Sequence, residues 1–146
     1  MERQSCITAA SSGDHARLLS IWESAVRATH DFLADEDFAY YQSRMMDYFG
    51  QVDLYVCNGE RAEALGFMGV SGDMLEMLFV DAAHRGNGIG RRLLLHAVTK
   101  LGVCRVDVNE QNSQAVGFYE RMGFKVTGRS SHDNEGKPYP ILHLQL

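Results

Sequence analysis

Hydrophobic positions along this chain switch between two periods, and the switches predict the order of its elements. Residues 5–10 read as a short first strand. Leu18, Trp22, Ala25 and Val26 then fall on one face of a helix that Asp14 can cap and that runs to about His30. A second helix opens in the acidic stretch Asp35-Glu36-Asp37, where negative charge suits a helix N-terminus, and carries the stripe Phe38, Tyr41, Met45 and Phe49. Val52, Leu54 and Val56 alternate as a strand. Asn58-Gly59 turns it into a return strand over 64–71, and Gly72-Asp73 turns that into a third over 74–80.

Beyond a glycine-rich segment, Leu93, Leu94, Ala97, Val98 and Leu101 form one apolar helix face, with Gly102 as its C-cap. Residues 103–108 make the next strand, parallel to 74–80 because a helix crosses between them. Asn112 or Ser113 caps a last helix bearing Ala115, Phe118, Tyr119 and Met122, which Gly123 ends. Residues 124–131 and 141–146 close the chain as a hairpin around the turn-rich stretch 132–140. The order β-α-α-β-β-β-α-β-α-β-β predicts an α/β (α+β) fold with a mixed sheet and helices on its faces. At 146 residues, 1–146 reads as a single domain able to bury its own core.

The segment between strand 74–80 and the following helix is Arg85-Gly86-Asn87-Gly88-Ile89-Gly90. Alternating glycines let the backbone come close to a ligand without interference from Cβ. A helix starting directly after them, with Arg91 and Arg92, aims its unpaired N–H groups and the positive end of its dipole into the loop. Such a turn suits a phosphate or pyrophosphate. It is not a P-loop, because no Lys-Ser/Thr pair follows. It resembles the dinucleotide fingerprint in Gly86-x-Gly88, with Asp107 near the distance of a ribose-binding acid. The third glycine, however, is required at position 91, which is Arg, and the preceding strands form a meander in place of repeated βαβ units.

Composition narrows the partners. The net charge of −5 disfavours nucleic acid and suits a cationic or amine substrate. No apolar run is long enough to span a membrane, and the opening Met-Glu-Arg-Gln-Ser lacks the apolar core of a signal peptide. Cys6, Cys57 and Cys104 are widely spaced and odd in number, which points to reduced thiols in a cytoplasm. Six histidines without paired helical spacing give no metal site.

Arg85-x-x-Gly88-x-Gly90 resembles the acyl-CoA signature of the GCN5-related N-acetyltransferases (GNAT). Asn109-x-x-Asn112-x-x-Ala115-x-x-Phe118-Tyr119-x-x-x-Gly123-Phe124 resembles a later motif of the same superfamily, and the element order agrees over the whole chain. Ala28–Leu33, Val108–Asn112 and the Gly136-Lys137-Pro138-Tyr139-Pro140 segment resemble a small YjaB-like bacterial branch of it. The resemblance implies a mostly antiparallel sheet whose two parallel strands splay around an acyl-CoA site. It also implies direct transfer of acetyl from acetyl-CoA to a primary amine, without a metal.

On that resemblance, Gly86, Gly88, Gly90 and Arg91 supply amides to the pyrophosphate, and Arg85 or Arg91 adds charge. Backbone groups of Leu78 and Val80 pair with the pantetheine arm, the Leu78 amide polarising the thioester carbonyl. Asn109 and Asn112 bond the same arm or cap the last helix. Tyr119 protonates the departing thiolate, or is a core tyrosine. Glu76 is the candidate general base, sharing by alternation a face with Leu78 and Val80, or is a strand-end residue reaching solvent. His30, Asp31 and Tyr139 are alternative bases. The acids Asp31, Asp35, Glu36 and Asp37 either attract the acceptor or are solvent-facing helix charges, with Trp22 or Tyr139 as an aromatic wall. A non-catalytic acyl-CoA-binding module and a dinucleotide-binding domain are the competing functions. The acceptor's identity, and whether the chain is a monomer or homodimer, are not legible.

Overall fold

The computed structural model describes residues 6–146, so Ser5 of the expected first strand lies outside it. Among the described residues the strands are β1 (Cys6–Ala9), β2 (Asp53–Asn58), β3 (Ala64–Ser71), β4 (Met74–Val80), β5 (Arg105–Asn109), β6 (Lys125–Ser130) and β7 (Ile141–Gln145). The helices are α1 (His15–Thr29), α2 (Asp35–Phe49), α3 (Ile89–Leu101) and α4 (Ser113–Arg121). One sheet runs in the order β1-β2-β3-β4-β5-β7-β6, antiparallel everywhere except between β4 and β5.

The alternation along β2 sends Leu54 and Val56 to one face, where they meet Leu18, Trp22, Met45 and Phe49 of α1 and α2. Met68, Val70, Leu75 and Val106 turn to the other face, against Leu93, Leu94 and Ala97 of α3. The sheet therefore has a core on each side. Phe67, fully buried in the first of these, is typical: burying such a side chain is worth roughly 1.5–3 kcal/mol.

Three local expectations need correction. Asp14 precedes α1, but its carboxylate accepts from the Ser11 amide at 2.8 Å and so closes a short 3₁₀ turn instead of capping the helix. Helix α3 begins at Ile89, with Gly88 as its left-handed N-cap, so Gly90 lies inside the first turn. Strand β5 starts at Arg105, because the Cys104 and Arg105 amides are taken by Asp73 O.

Two irregularities of β4 position the site. Its parallel ladder with β5 contains only Met74↔Arg105 and Leu75↔Val106, so from Glu76 to Val80 the edge facing β5 has no ladder partner. On the other edge, Gly69 pairs with Met77 and Val70 with Leu75, which leaves Glu76 as the extra residue of a β-bulge.

Candidate active site

The bulge overturns one reading made from the sequence. Without it, Glu76 would point with Leu78 and Val80. The extra residue resets the alternation, so Leu78 and Val80 pack toward α3 and α4 while Met77 and Phe79 pack toward α1 and α2. Glu76 goes with the latter pair, and β4 thereby separates two openings.

The smaller opening, about 220 Å³, lies between Leu78 and Val80 on one side and Ala115, Phe118 and Tyr119 on the other, with Arg85 and Gly90 at its mouth. Gly86 (φ +83°) and Gly88 (φ +77°) are in the left-handed region, which favours glycine, and nothing lies within 4 Å of where a Cβ would stand on either. The first intrahelical acceptor of α3 is Gly88 O, which receives the Arg92 amide at 3.0 Å. The Ile89, Gly90 and Arg91 amides precede that bond and are the orphan donors of a helix start. Open space beside glycines, orphan amides and the Arg85 guanidinium together suit a pyrophosphate. Arg85 Nη2 donates to Gln114 Oε1 at 2.6 Å. The Arg91 side chain turns to the C-terminal end of α4, its Nη1 lying 3.7 Å from Met122 Sδ.

Tyr119 is 6% exposed and stacks edge-on with Phe118 and Phe124, yet it borders this opening. Burial pushes its phenol well above the ordinary tyrosine range. Tyr119 is therefore a core residue with one end at the smaller opening. Asn112 caps α4, its Oδ1 accepting from the Ala115 amide at 3.2 Å, and also borders the groove.

The larger opening, about 520 Å³, lies on the other side of β4 and is acidic and aromatic. Glu76, Asp107, Asp133 and Glu135 line it together with Tyr41, Tyr48 and Tyr139, and Asn109 borders this opening and not the smaller one. The 131–140 loop is tied over α2: Tyr41 donates to Asp133, Tyr48 donates to Glu135, and Tyr40 donates to Glu135 at 3.0 Å. Tyr139 Oη accepts from the Ala34 amide and donates to Asp37, so it is a structural clamp on the start of α2. Burial and the Asp107 charge raise the Glu76 pKa, with Arg105 opposing.

His30 and Phe79 border both openings. Burial lowers the His30 pKa to about 4 against the opposing Asp31 charge, so the ring is neutral at neutral pH. Thr29 Oγ1 gives its proton to Ala25 O at 2.8 Å and lies 2.7 Å from His30 Nδ1. Its oxygen must therefore accept from Nδ1–H, which leaves the Nε2 lone pair of His30 free.

The sequence acids Asp31, Asp35 and Glu36 are exposed, and Asp37 is paired with Lys137 at 2.8 Å. The carboxylates that line the larger opening are instead Glu76, Asp107, Asp133 and Glu135. Asp107 carried a signal, the alternation of β5 opposite Val106 and Val108. Asp133 and Glu135 carried none, because a loop's landing place is set by long-range contacts. Gln114 was missed as an ordinary first-turn polar residue.

Residues 22–138 match the model of the acetyltransferase (GNAT) domain family. The chain is 46% identical over 128 residues to the peptidyl-lysine N-acetyltransferase YjaB of Salmonella typhimurium, covering 88% of each protein. It is also 46% identical over 127 residues to the Escherichia coli protein of the same name, covering 87% of this chain and 86% of that protein. The solution structure of apo-form YjaB from Escherichia coli superposes with a TM-score of 0.85 at 42% identity, covering 97% of this chain and 96% of that one. The structure of yncA from Salmonella typhimurium with its cofactor acetyl-CoA shares the fold at a TM-score of 0.65 and 21% identity, over 97% and 92% of the two chains.

Proposed function

The chain belongs to the GNAT acetyltransferase family and moves acetyl from acetyl-CoA to a primary amine, and we propose that this amine is the side chain of a lysine within a protein. The relatives at 46% identity are named for that acceptor. The observation that carries the reading is the larger opening, whose carboxylates and tyrosine rings face the cofactor groove across His30 and Phe79. A lysine pairs an apolar stem with an ammonium, so aromatic walls and carboxylates complement its two parts.

Acetyl-CoA supplies an acyl group already activated as a thioester. The Gly86–Gly90 loop and the Arg91 amide hold its pyrophosphate, with Arg85 adding charge. The unpaired edge of β4 at Leu78 and Val80 receives the pantetheine arm, and the Leu78 amide is the oxyanion donor. Asn112 fixes the far wall by capping α4, and Asn109 borders the acceptor end. Glu76 takes the proton that the acceptor ammonium must lose. Glu76 keeps one side exposed to solvent, and its raised pKa makes it a better base than an ordinary glutamate. Tyr119, kept protonated by burial, holds the proton that returns to the leaving thiolate. The chain acts as one catalytic domain over 1–146, in the cytoplasm; no helix among the described residues is long and apolar enough to cross a membrane.

The test is acetylation of three peptides, followed by mass spectrometry: one with an internal lysine and a blocked N-terminus, one with a free N-terminus and no lysine, and one with both amines blocked. Acetylation of the first alone is expected. Modification of the second in preference to the first would overturn the lysine reading.

A further inference from the structure

Glu76 and Asp107 stand on neighbouring strands at the point where β4 and β5 part. The ladder pairs Leu75 with Val106 and then ends. Leu75 and Val106 are 1% and 2% exposed and both turn into the α3 core, so the next residue on each strand turns the other way, into the acceptor opening. Two carboxyl groups sharing a site do not both ionise freely; the better-partnered one keeps its charge and the other holds a proton more readily.

Their partners differ. Asp107 Oδ1 lies 2.7 Å from His143 Nδ1, and His143 Nε2 lies 2.7 Å from Ser130 Oγ. The array crosses β5, β7 and β6, which are adjacent in the sheet. A Ser130 hydroxyl donating to Nε2 fixes the tautomer in which His143 donates Nδ1–H to Asp107. Neither Ser130 nor His143 borders either opening, so the array reaches the substrate only through Asp107. No described hydrogen bond or ion pair involves the Glu76 carboxylate, while burial and the Asp107 charge both favour its protonated form.

We propose that Ser130, His143 and Asp107 are positioning residues for acetyl transfer, the Ser130–His143 array fixing the Asp107 carboxylate beside Glu76 so that Glu76 is the proton-accepting member of the pair. The inference rests on the reading of Glu76 as that acceptor. In the step itself an N–H bond of the acceptor ammonium breaks, its electron pair stays on nitrogen, and an O–H bond forms on Glu76. The other groups around Glu76 are His30 just past the end of α1, Tyr41, Arg44 and Tyr48 from α2, Asp133, Glu135 and Tyr139 from the 131–140 loop, and Arg105 from β5. Arg105 is occupied by Asp73 at 2.7 Å, and Asp133 and Glu135 by the α2 tyrosines.

The experiment is the pH profile of kcat at saturating acetyl-CoA for the intact chain and the variants Glu76→Gln, Asp107→Asn, His143→Leu and His143→Asn, each first checked by thermal melting. Glu76→Gln should abolish the acidic limb. Asp107→Asn should move that limb to lower pH and reduce the plateau, with KM for acetyl-CoA unchanged. His143→Leu should lower the plateau roughly three- to tenfold, and His143→Asn, which keeps an N–H near the Nδ1 position, should recover most of it. An acidic limb that survives Glu76→Gln would remove the Glu76 reading and this proposal with it. Loss of the limb in Glu76→Gln, with limb and plateau unmoved in Asp107→Asn and His143→Leu, would overturn this proposal alone.

Discussion

Arg85 donates to Gln114 across 2.6 Å, joining the glycine loop to the first turn of α4. Between Arg85 and the buried Ile89, neither Gly86 nor Gly88 has an atom within 4 Å of where a Cβ would stand. The bond orders the Arg85 guanidinium at the mouth of the cofactor groove before anything binds. Preorganisation of this kind lowers the entropy lost on binding. Gln114→Ala should therefore raise the KM for acetyl-CoA about three- to tenfold, equivalent to one hydrogen bond of roughly 0.5–1.5 kcal/mol, and leave kcat unchanged. Initial rates at saturating acceptor check this; a change confined to kcat would contradict it.

Tyr119 offers a separation of packing from chemistry. Its ring is buried against Phe118 and Phe124, and none of the described hydrogen bonds involves its hydroxyl. Tyr119→Phe keeps the ring contacts and removes only the proton donor. Stability should change by less than about 1 kcal/mol, while kcat falls roughly 100-fold, the lower end of the range for general acids because a thiolate leaves readily. Because burial raises the phenol's pKa, Tyr119 stays protonated and the wild-type enzyme should show no basic limb from it below about pH 10. Thermal melts and a pH series of kcat test both parts.

How far the sequence carried this site depends on what set each residue's direction. Strands β3 and β4 were legible to the residue, because period-two alternation and flanking glycines act locally. The glycine turn over Gly86–Gly90 was legible for the same reason. Glu76 was legible as a residue but not in its direction, since a bulge is a mismatch between two strands and leaves no trace in either alone. His30 could be named as a candidate, but its junction between the two openings depends on how α1 crosses the sheet. Asp133 and Glu135 depend on tyrosines of α2 nearly ninety or more positions away in the chain.

The clamp at the start of α2 gives a sign for acid stability. The Lys137 ammonium and the Tyr139 hydroxyl hold the Asp37 carboxyl below the ordinary range, against a smaller opposing effect of burial. The folded-state pKa lies below the unfolded one, so this contribution is complete above an unfolded value of about 3.9 and is lost as pH falls through the folded value. Melting temperature should therefore drop as the pH is taken from about 5 toward 2. Asp37→Asn should lower it at neutral pH and flatten that acid dependence. A variant with the wild-type acid slope would show that Asp37 carries none of it.

Gly88 and Gly102 make a matched pair for testing the phosphate cradle. They cap opposite ends of α3 at φ +77° and φ +72°, and neither has an atom within 4 Å of a built Cβ. Alanine at either position meets the same backbone strain, about 1–2 kcal/mol, so the two variants should lose similar stability in thermal melts. They differ in what the open space is for. At Gly102 it is bulk solvent, so Gly102→Ala should bind acetyl-CoA as the parent does. At Gly88 it is the proposed seat of the pyrophosphate, where a methyl group intrudes and the strained turn misdirects the amides of Ile89 and Gly90. Gly88→Ala should weaken acetyl-CoA binding at least tenfold, a loss of about 1.4 kcal/mol beyond the shared strain. Titration calorimetry with acetyl-CoA on both variants decides it, because equal affinities would mean that the loop does not hold the phosphate.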